Sequence, residues 1–370
     1  MKRIHGLRIV LIMAVGVALF APVTPLYANN VPDQVLAWNQ HAYNELIVGQ
    51  GPFSVQHLAM VHGAVYDASL AAIPDGPSER GGIRVGMAAA EAMIENRRDD
   101  GRPGTPSFTT TSWTVGFGPG DWQPFAAGLA GNNFKWLGDL DTWLIPKASR
   151  FATDGPLRLG SAAYAVEFDQ VKSLGAATGS LRTPDQTAMA LFWGDNAFAM
   201  WTRIFRQLST SQGLSVAENA RFFAMAYLTA ADTQIACFQD KERWGFWRPQ
   251  TAIRLADQDG NAATVPDPNW APLLPNPPYP DHPSGHSCVS SSFVETLKDF
   301  YGTNQMFFSA THATLGITRS FTEFSQAIEE IKLARVYAGI HFFTADTQGA
   351  TLGKQVADFR QEHYFQPIEP

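Results

Sequence analysis

The chain has 370 residues, enough for one large or two modest domains. Hydrophobic residues make up 45% and charged residues 16%, which supports a substantial core and excludes a disordered chain. The formal net charge of -7 excludes nucleic acid and anionic membranes as default partners, so any anion site must be a local cationic pocket set against the global field.

The chain starts with Lys2, Arg3 and Arg8 around an apolar run from Ile9 to Ala21. Pro22 and Pro25 follow, and Leu26-Tyr27-Ala28 is an acceptable cleavage site. This pattern predicts a secretory signal peptide over 1–28 and a protein that is periplasmic or secreted. Its removal takes the net charge from -7 to -10, since three cations leave and no acid does. No later stretch reaches the length of a membrane span, so none is expected after signal removal.

Helical spacing then dominates. "VPDQVLAWNQHAYNELIVG" places Val35, Leu36, Trp38, Tyr43 and Leu46 on a helix that Gly49 stops. Ser54 caps a second helix carrying Leu58, Val61, Val65 and Leu70. Residues 74–83 read as a loop, 85–97 as a short Ala-rich helix, and 100–125 as a long irregular segment rich in Gly, Pro, Ser and Thr. Thr183-Pro184-Asp185-Gln186 is a capping box that opens a helix running on through "TAMALFWGDNAFAMWTRIF". Residues 214–240 form a long helix, apolar nearly all round, as expected at the centre of a bundle. "NWAPLLPNPPYPDHP" holds six prolines and must be extended. Helices follow near 285–301, 323–338 and 345–361, and no alternating run is long enough to predict a sheet. The fold class is mainly α, with stacked helical bundles: an N-terminal helical region over 29–155 and a catalytic helical bundle over 156–370.

Three segments carry unusual polar residues. In "DKERWGFWRPQTAIR", Pro249 ends the helix near Arg248 and turns that side chain inward beside Lys241, with Trp244, Phe246 and Trp247 as low-dielectric walls. In "YPDHPSGHSCVSSS", Ser284 is a natural N-cap, and the amides around Gly285 lie at a helix start suited to an anion. His286 stands in the first turn. In "LARVYAGIHFFTAD", Gly339 breaks the chain so that Arg335 and His341 can reach one pocket, and Thr344 and Asp346 begin the final helix. Three cations, a helix N-terminus, a hydroxyl and two imidazoles suit a tetrahedral oxyanion. One imidazole can bond to the central atom while the other moves a proton.

The blocks Lys-x6-Arg-Pro, Pro-Ser-Gly-His and Arg-x5-His, in this order, resemble the signature of the vanadium-dependent haloperoxidases and the type-2 phosphatidic acid phosphatase superfamily. "ACFQDKERWGFWRPQTAIR" and "PPYPDHPSGHS" are similar to its bacterial haloperoxidase-like branch. The resemblance implies that Lys241, Arg248, Ser284, Gly285 and Arg335 hold the oxyanion. His341 is then the axial residue on the vanadium of vanadate and His286 the acid-base partner. The implied reaction is halide oxidation by hydrogen peroxide with vanadate as cofactor. The alternative is hydrolysis of phosphate esters through a phosphohistidine, with no cofactor. The sequence departs from the family pattern at Ala334, where Ser is usual before the arginine. It departs again at Ala345, where an Asp is expected four residues after the axial histidine. Asp346 lies one residue later; unless it reaches His341, the imidazole loses its orienting carboxylate.

Other readings compete. His282 and His286 have metal-like spacing that Pro283 spoils. "GHSCV" lacks both the closing Gly and the preceding strand of a nucleophile elbow. A protein that only sequesters phosphate or vanadate is a third class. His57 and His62 read as structural, and His312 as a surface or loop residue. Tyr279 reads as a wall of the cavity or a packing aromatic. Cys237 and Cys288 either pair or remain buried thiols near the site.

Overall fold

The computed structural model describes residues 34–44, 54–70, 79–103, 105–108, 112–125 and 134–366, so the expected leader lies outside the described residues. Three helices come first: α1 over Gln34–Ala42, α2 over Ser54–Leu70 and α3 over Glu79–Asn96. α3 starts earlier than the Ala-rich stretch alone predicts and takes in part of the expected loop. The described backbone that follows is irregular, with 3-10 turns at Lys135–Asp139 and Ala148–Phe151.

Buried carboxylates tie that irregular stretch to the centre of the molecule. Asp232 accepts hydrogen bonds from the backbone N–H groups of Trp143, Leu144 and Ile145 at 2.6, 2.6 and 2.9 Å. Asp240 accepts from the Thr153 N–H at 2.9 Å. These side chains supply the backbone partners that regular structure would otherwise provide.

α4 spans Ala162–Gly175, with Ser161 accepting from the Tyr164 N–H. The capping box at Thr183 and Gln186 opens α5, Pro184–Phe192. The helix does not run on as its composition predicts. It breaks around Gly194 and Asp195, and Asn196 caps a new helix, α6, over Ala197–Gln212. A second capping box, Ser215 with Glu218, starts the 29-residue α7, Val216–Trp244. The short α8, Pro249–Arg254, then precedes the proline-rich stretch and α9, Gly285–Tyr301. α10 covers Phe324–Tyr337 and α11 covers Phe343–His363.

α7 is buried on almost every side and packs against α1, α2, α9 and α11. α9 and α11 meet backbone to backbone: a Cβ at Gly353 would stand 2.0 Å from the Cys288 carbonyl oxygen. The core is aromatic, with Trp122, Trp193, Trp201 and Trp247 fully buried. Each such ring removes about 150–250 Å² from water, an upper bound of about 4–6 kcal/mol at about 25 cal/mol per Å². His62 is buried, stacks on Phe223 and Tyr227, and lies 3.0 Å from Asn39 Nδ2.

A small sheet corrects the expectation of none. β1, Gln305–Thr311, pairs antiparallel with β2, Thr318–Glu323, and the Phe308 and Phe321 rings stack 5.0 Å apart. Only Phe308, Ala310 and Phe321 turn inward, so the strands leave too little alternation to be read from sequence. His312 lies in the connecting turn but is buried rather than at the surface. Its Nδ1 accepts from the Thr314 and Leu315 N–H groups at 3.2 Å each. No described helix is long and apolar enough to cross a membrane.

Candidate active site

The N-terminal end of α6, the C-terminal half of α7, the first turns of α9, the last turn of α10 and the turn ahead of α11 line one cavity of about 100 Å³. Gly285, His286, Arg335 and His341 form its polar end. Phe198, Phe238, Tyr279 and Val289 wall the rest, with the amides Asn196 and Gln234 at the edge.

Each polar residue arrives by a local device. Ser284 caps α9, accepting from the Ser287 N–H, and this sets Gly285 and His286 in the first turn. A Cβ at Gly285 would meet protein atoms no closer than 3.9 Å, so packing alone does not require glycine there. α10 delivers Arg335 in its last turn. The chain then reverses at Gly339, whose φ of 76° is left-handed and where a Cβ would stand 2.4 Å from the Gly175 carbonyl oxygen. The reversal places His341 just ahead of α11. Arg248 occupies the N-cap position of α8, held extended ahead of Pro249, and is fully buried.

The three cations are all buried, but they are used differently. Lys241 Nζ donates to the carbonyls of Pro280, Asp281 and Pro283 at 2.9, 3.0 and 2.5 Å. All three ammonium protons therefore serve the segment that leads into α9. Arg248 donates from Nε to the Tyr279 carbonyl and from Nη1 to the Ile340 carbonyl, both at 2.8 Å, and its Nη1 lies 3.3 Å from His341 Nε2. Arg335 donates from Nη1 to the Trp193 carbonyl at 2.9 Å, whereas its buried Nε has no hydrogen-bond partner. Arg335 is thus the cation that lines the cavity with an open donor. The aromatic ring over Lys241 and Arg248 is that of Tyr279, at 5.3 and 5.2 Å. Phe246 and Trp247, expected as walls, instead join a separate core cluster with Tyr164 and Phe342.

Burial shapes the charges. It lowers Lys241 to about 8, Arg335 to about 10 and Arg248 in the same direction, against the pull of neighbouring acids. Burial, aided by the cations, also holds His286 and His341 well below the usual histidine range, so both rings are neutral near pH 7. His286 Nε2 is buried with no hydrogen-bond partner.

Asp346 does not serve His341. The Ser287 hydroxyl donates to Asp346 Oδ1 at 2.7 Å, and the carboxylate belongs to the α9–α11 contact. Burial raises it to about 7, with the Ser284 and Ser287 hydroxyls opposing. The carboxylate that does approach His341 is Asp281: its Oδ1 is 2.7 Å from Nδ1, off the line of an ideal hydrogen bond, and both groups are buried. Burial raises Asp281 to about 8, opposed first by Arg248 and then by Lys241. Sequence reasoning quoted this residue without giving it a role. It also passed over Asn196, Phe198, Gln234 and Phe238, which look like ordinary helix positions. His282 points away from any metal-like pair with His286, its Nε2 lying 2.9 Å from the Thr153 hydroxyl. Cys237 and Cys288 are buried free thiols, and Cys237 lines the cavity.

Comparison with known proteins adds to this geometry. Residues 221–370 match the family described as the VCPO second helical-bundle domain. The vanadium chloroperoxidase of Curvularia inaequalis is 24% identical over 42% of this chain, a match that spans 30% of that relative's length. A bacterial vanadium-dependent iodoperoxidase structure superposes with a TM-score of 0.75 at 21% identity, covering 91% of this chain and 97% of that one. An apo-type bacterial vanadium-dependent chloroperoxidase superposes with a TM-score of 0.68 at 15% identity, covering 88% and 97%. Residues 221–370 are thus similar to the VCPO second helical-bundle domain, and the chain has the fold seen in structures of bacterial vanadium-dependent haloperoxidases.

Proposed function

We propose that this protein is a vanadium-dependent haloperoxidase that oxidises halide with hydrogen peroxide, with vanadate held at His341. The observation that carries the reading is the convergence of Arg335, His286, His341 and the N-terminus of α9 on one cavity. The residues fit an oxyanion, because two buried donors or acceptors there, Arg335 Nε and His286 Nε2, have no partner from the protein. Bound vanadate supplies Lewis-acid activation of peroxide toward halide.

The chain's own groups divide the remaining work. His341 offers a ring nitrogen lone pair to the central atom. Arg335 donates to an anion oxygen from Nε, and the first turn of α9 adds the positive end of its dipole. Lys241 and Arg248 set the backbone on which those groups stand and contribute charge from behind it. His286, neutral near pH 7, takes a proton from the incoming peroxide at Nε2. Phe198, Phe238 and Tyr279 give the cavity an apolar wall.

The test is peroxide-dependent oxidation of bromide and iodide by purified protein, with and without added vanadate. Activity that appears only with vanadate supports the proposal. Phosphate-ester hydrolysis that vanadate abolishes, without halide oxidation, replaces it with the phosphohistidine mechanism. His286→Ala separates catalysis from sequestration. Turnover should fall by about 100- to 10,000-fold while vanadate still binds, whereas a protein that only stores the anion has no turnover to lose.

A further inference from the structure

His341 has two nitrogens, and only an unprotonated one can bond to an oxyanion's central atom. The surroundings decide which nitrogen that is. A guanidinium has donors and no acceptor, so Arg248 Nη1, 3.3 Å from Nε2, requires Nε2 to be the acceptor. The proton of the neutral ring is then on Nδ1, the nitrogen 2.7 Å from Asp281 Oδ1. Arg248 also lies 4.0 Å from that same Oδ1, so one cation faces both the lone pair and the carboxylate. All three side chains are at most 2% exposed, and water does not compete for these contacts.

We propose that Asp281 is the positioning residue of His341: its carboxylate holds the imidazole in the tautomer that leaves Nε2 unprotonated, its lone pair facing Arg248 Nη1. The carboxylate does so in its ionised form, which Arg248 and Lys241 favour. It takes the place left by Ala345, from the opposite direction in the sequence. Asp281 lies on the extended segment before α9, anchored by its own N–H to the Phe246 carbonyl at 2.9 Å and by its carbonyl to Lys241 Nζ. The anchoring explains how a carboxylate 60 positions before the histidine can be placed as firmly as one in the following helical turn. Asp346 is instead turned to the α9–α11 contact, where its Oδ1 accepts from the Ser287 hydroxyl.

The inference rests on the proposed function only for its consequence; the tautomer itself is measurable without any anion. Full-length protein labelled with ¹⁵N-histidine, free of vanadate, is examined by two-bond ¹H–¹⁵N correlation, and the His341 pattern is identified as the one missing in His341→Gln. The wild-type pattern should be that of the Nδ1-protonated ring. Asp281→Asn should move it toward the Nε2-protonated form, Asp281→Glu should restore it in part, and Asp346→Asn should leave it unchanged. Vanadate affinity, measured by equilibrium ultrafiltration, should weaken about 10- to 100-fold in Asp281→Asn. A wild-type ring protonated on Nε2 overturns the proposal, as does a pattern that follows Asp346 rather than Asp281. Should Asp281→Asn not fold, the wild-type tautomer and Asp281→Glu still decide it. A wild-type protein with the expected tautomer that binds no vanadate would refute the functional reading and leave this one standing.

Discussion

Replacing Lys241 with methionine should cost stability and anion affinity together. The side chain keeps its approximate length, while the ammonium and its three hydrogen bonds to the Pro280, Asp281 and Pro283 carbonyls disappear. A hydrogen bond to a charged group is worth about 1.5–3 kcal/mol, so the three give about 5–9 kcal/mol gross. Against this stands the burial of the cation. A fall from 10.5 to about 8 corresponds to about 3 kcal/mol, already present in the native protein and relieved in the variant. The net loss is about 2–6 kcal/mol, in line with the cost of removing one partner from a buried charged cluster. Urea unfolding should show a lower midpoint with an unchanged slope. Vanadate and phosphate affinity should fall too, since the segment that positions Asp281 and α9 is no longer clamped. A variant that loses the anion with its unfolding midpoint intact would refute the reasoning. The ammonium would then act on the ligand directly rather than through the backbone.

The same lysine carries a pH signature. Its folded value, about 8, lies below the ordinary 10.5, so between these limits the unfolded chain binds more protons and stability rises with pH. The stability difference between wild type and Lys241→Met should therefore widen from pH 8 to pH 10, by up to about 3 kcal/mol, in paired urea titrations; a flat difference would contradict the burial argument. Gly339→Ala should destabilise by about 2–4 kcal/mol in thermal unfolding, because a φ of 76° and a carbonyl oxygen 2.4 Å from the new Cβ act together. Arg335→Ala should weaken phosphate binding about 10- to 100-fold by calorimetry, since it removes the open donor that faces the cavity.

Much of the architecture was legible because it depends on local rules. The Thr183 capping box and the length and apolar character of α7 are written within a few residues of where they act, but α7 ends at Trp244 on the left-handed Gly245 (φ 51°), not at Pro249, which instead opens α8. The three blocks that bring Arg335, Gly285, His286 and His341 together could be read for the same reason. What escaped depends on distance. Nothing near His341 shows that its carboxylate is Asp281, because that contact requires the extended segment to fold back past the Lys241 ammonium. The local candidate, Asp346, lost to a serine on a neighbouring helix. The break between α5 and α6 was hidden by apolar residues on both sides of Gly194, and the β1–β2 hairpin by its few inward positions.

The division of labour among the cations bears on how such a pocket stays folded when nothing is bound. Three buried cations crowd a space where the nearest acids, Asp281 and Asp346, are themselves pushed toward their neutral forms by burial. Left to face one another, the cations would repel and draw in solvent. Two of them instead spend their donors on carbonyls, which carry partial negative charge and need partners once buried. Lys241 and Arg248 are thereby satisfied without an anion, and their positive potential still reaches the cavity because carbonyl dipoles offset a full charge only in part. Of these three cations only Arg335 lines the cavity with an unpartnered donor, beside a helix N-terminus and the two imidazoles. The anion is thus asked to complete one arginine's hydrogen bonding, not to rescue three. This lets the site remain organised while empty and still favour an oxyanion over a neutral ligand of the same shape.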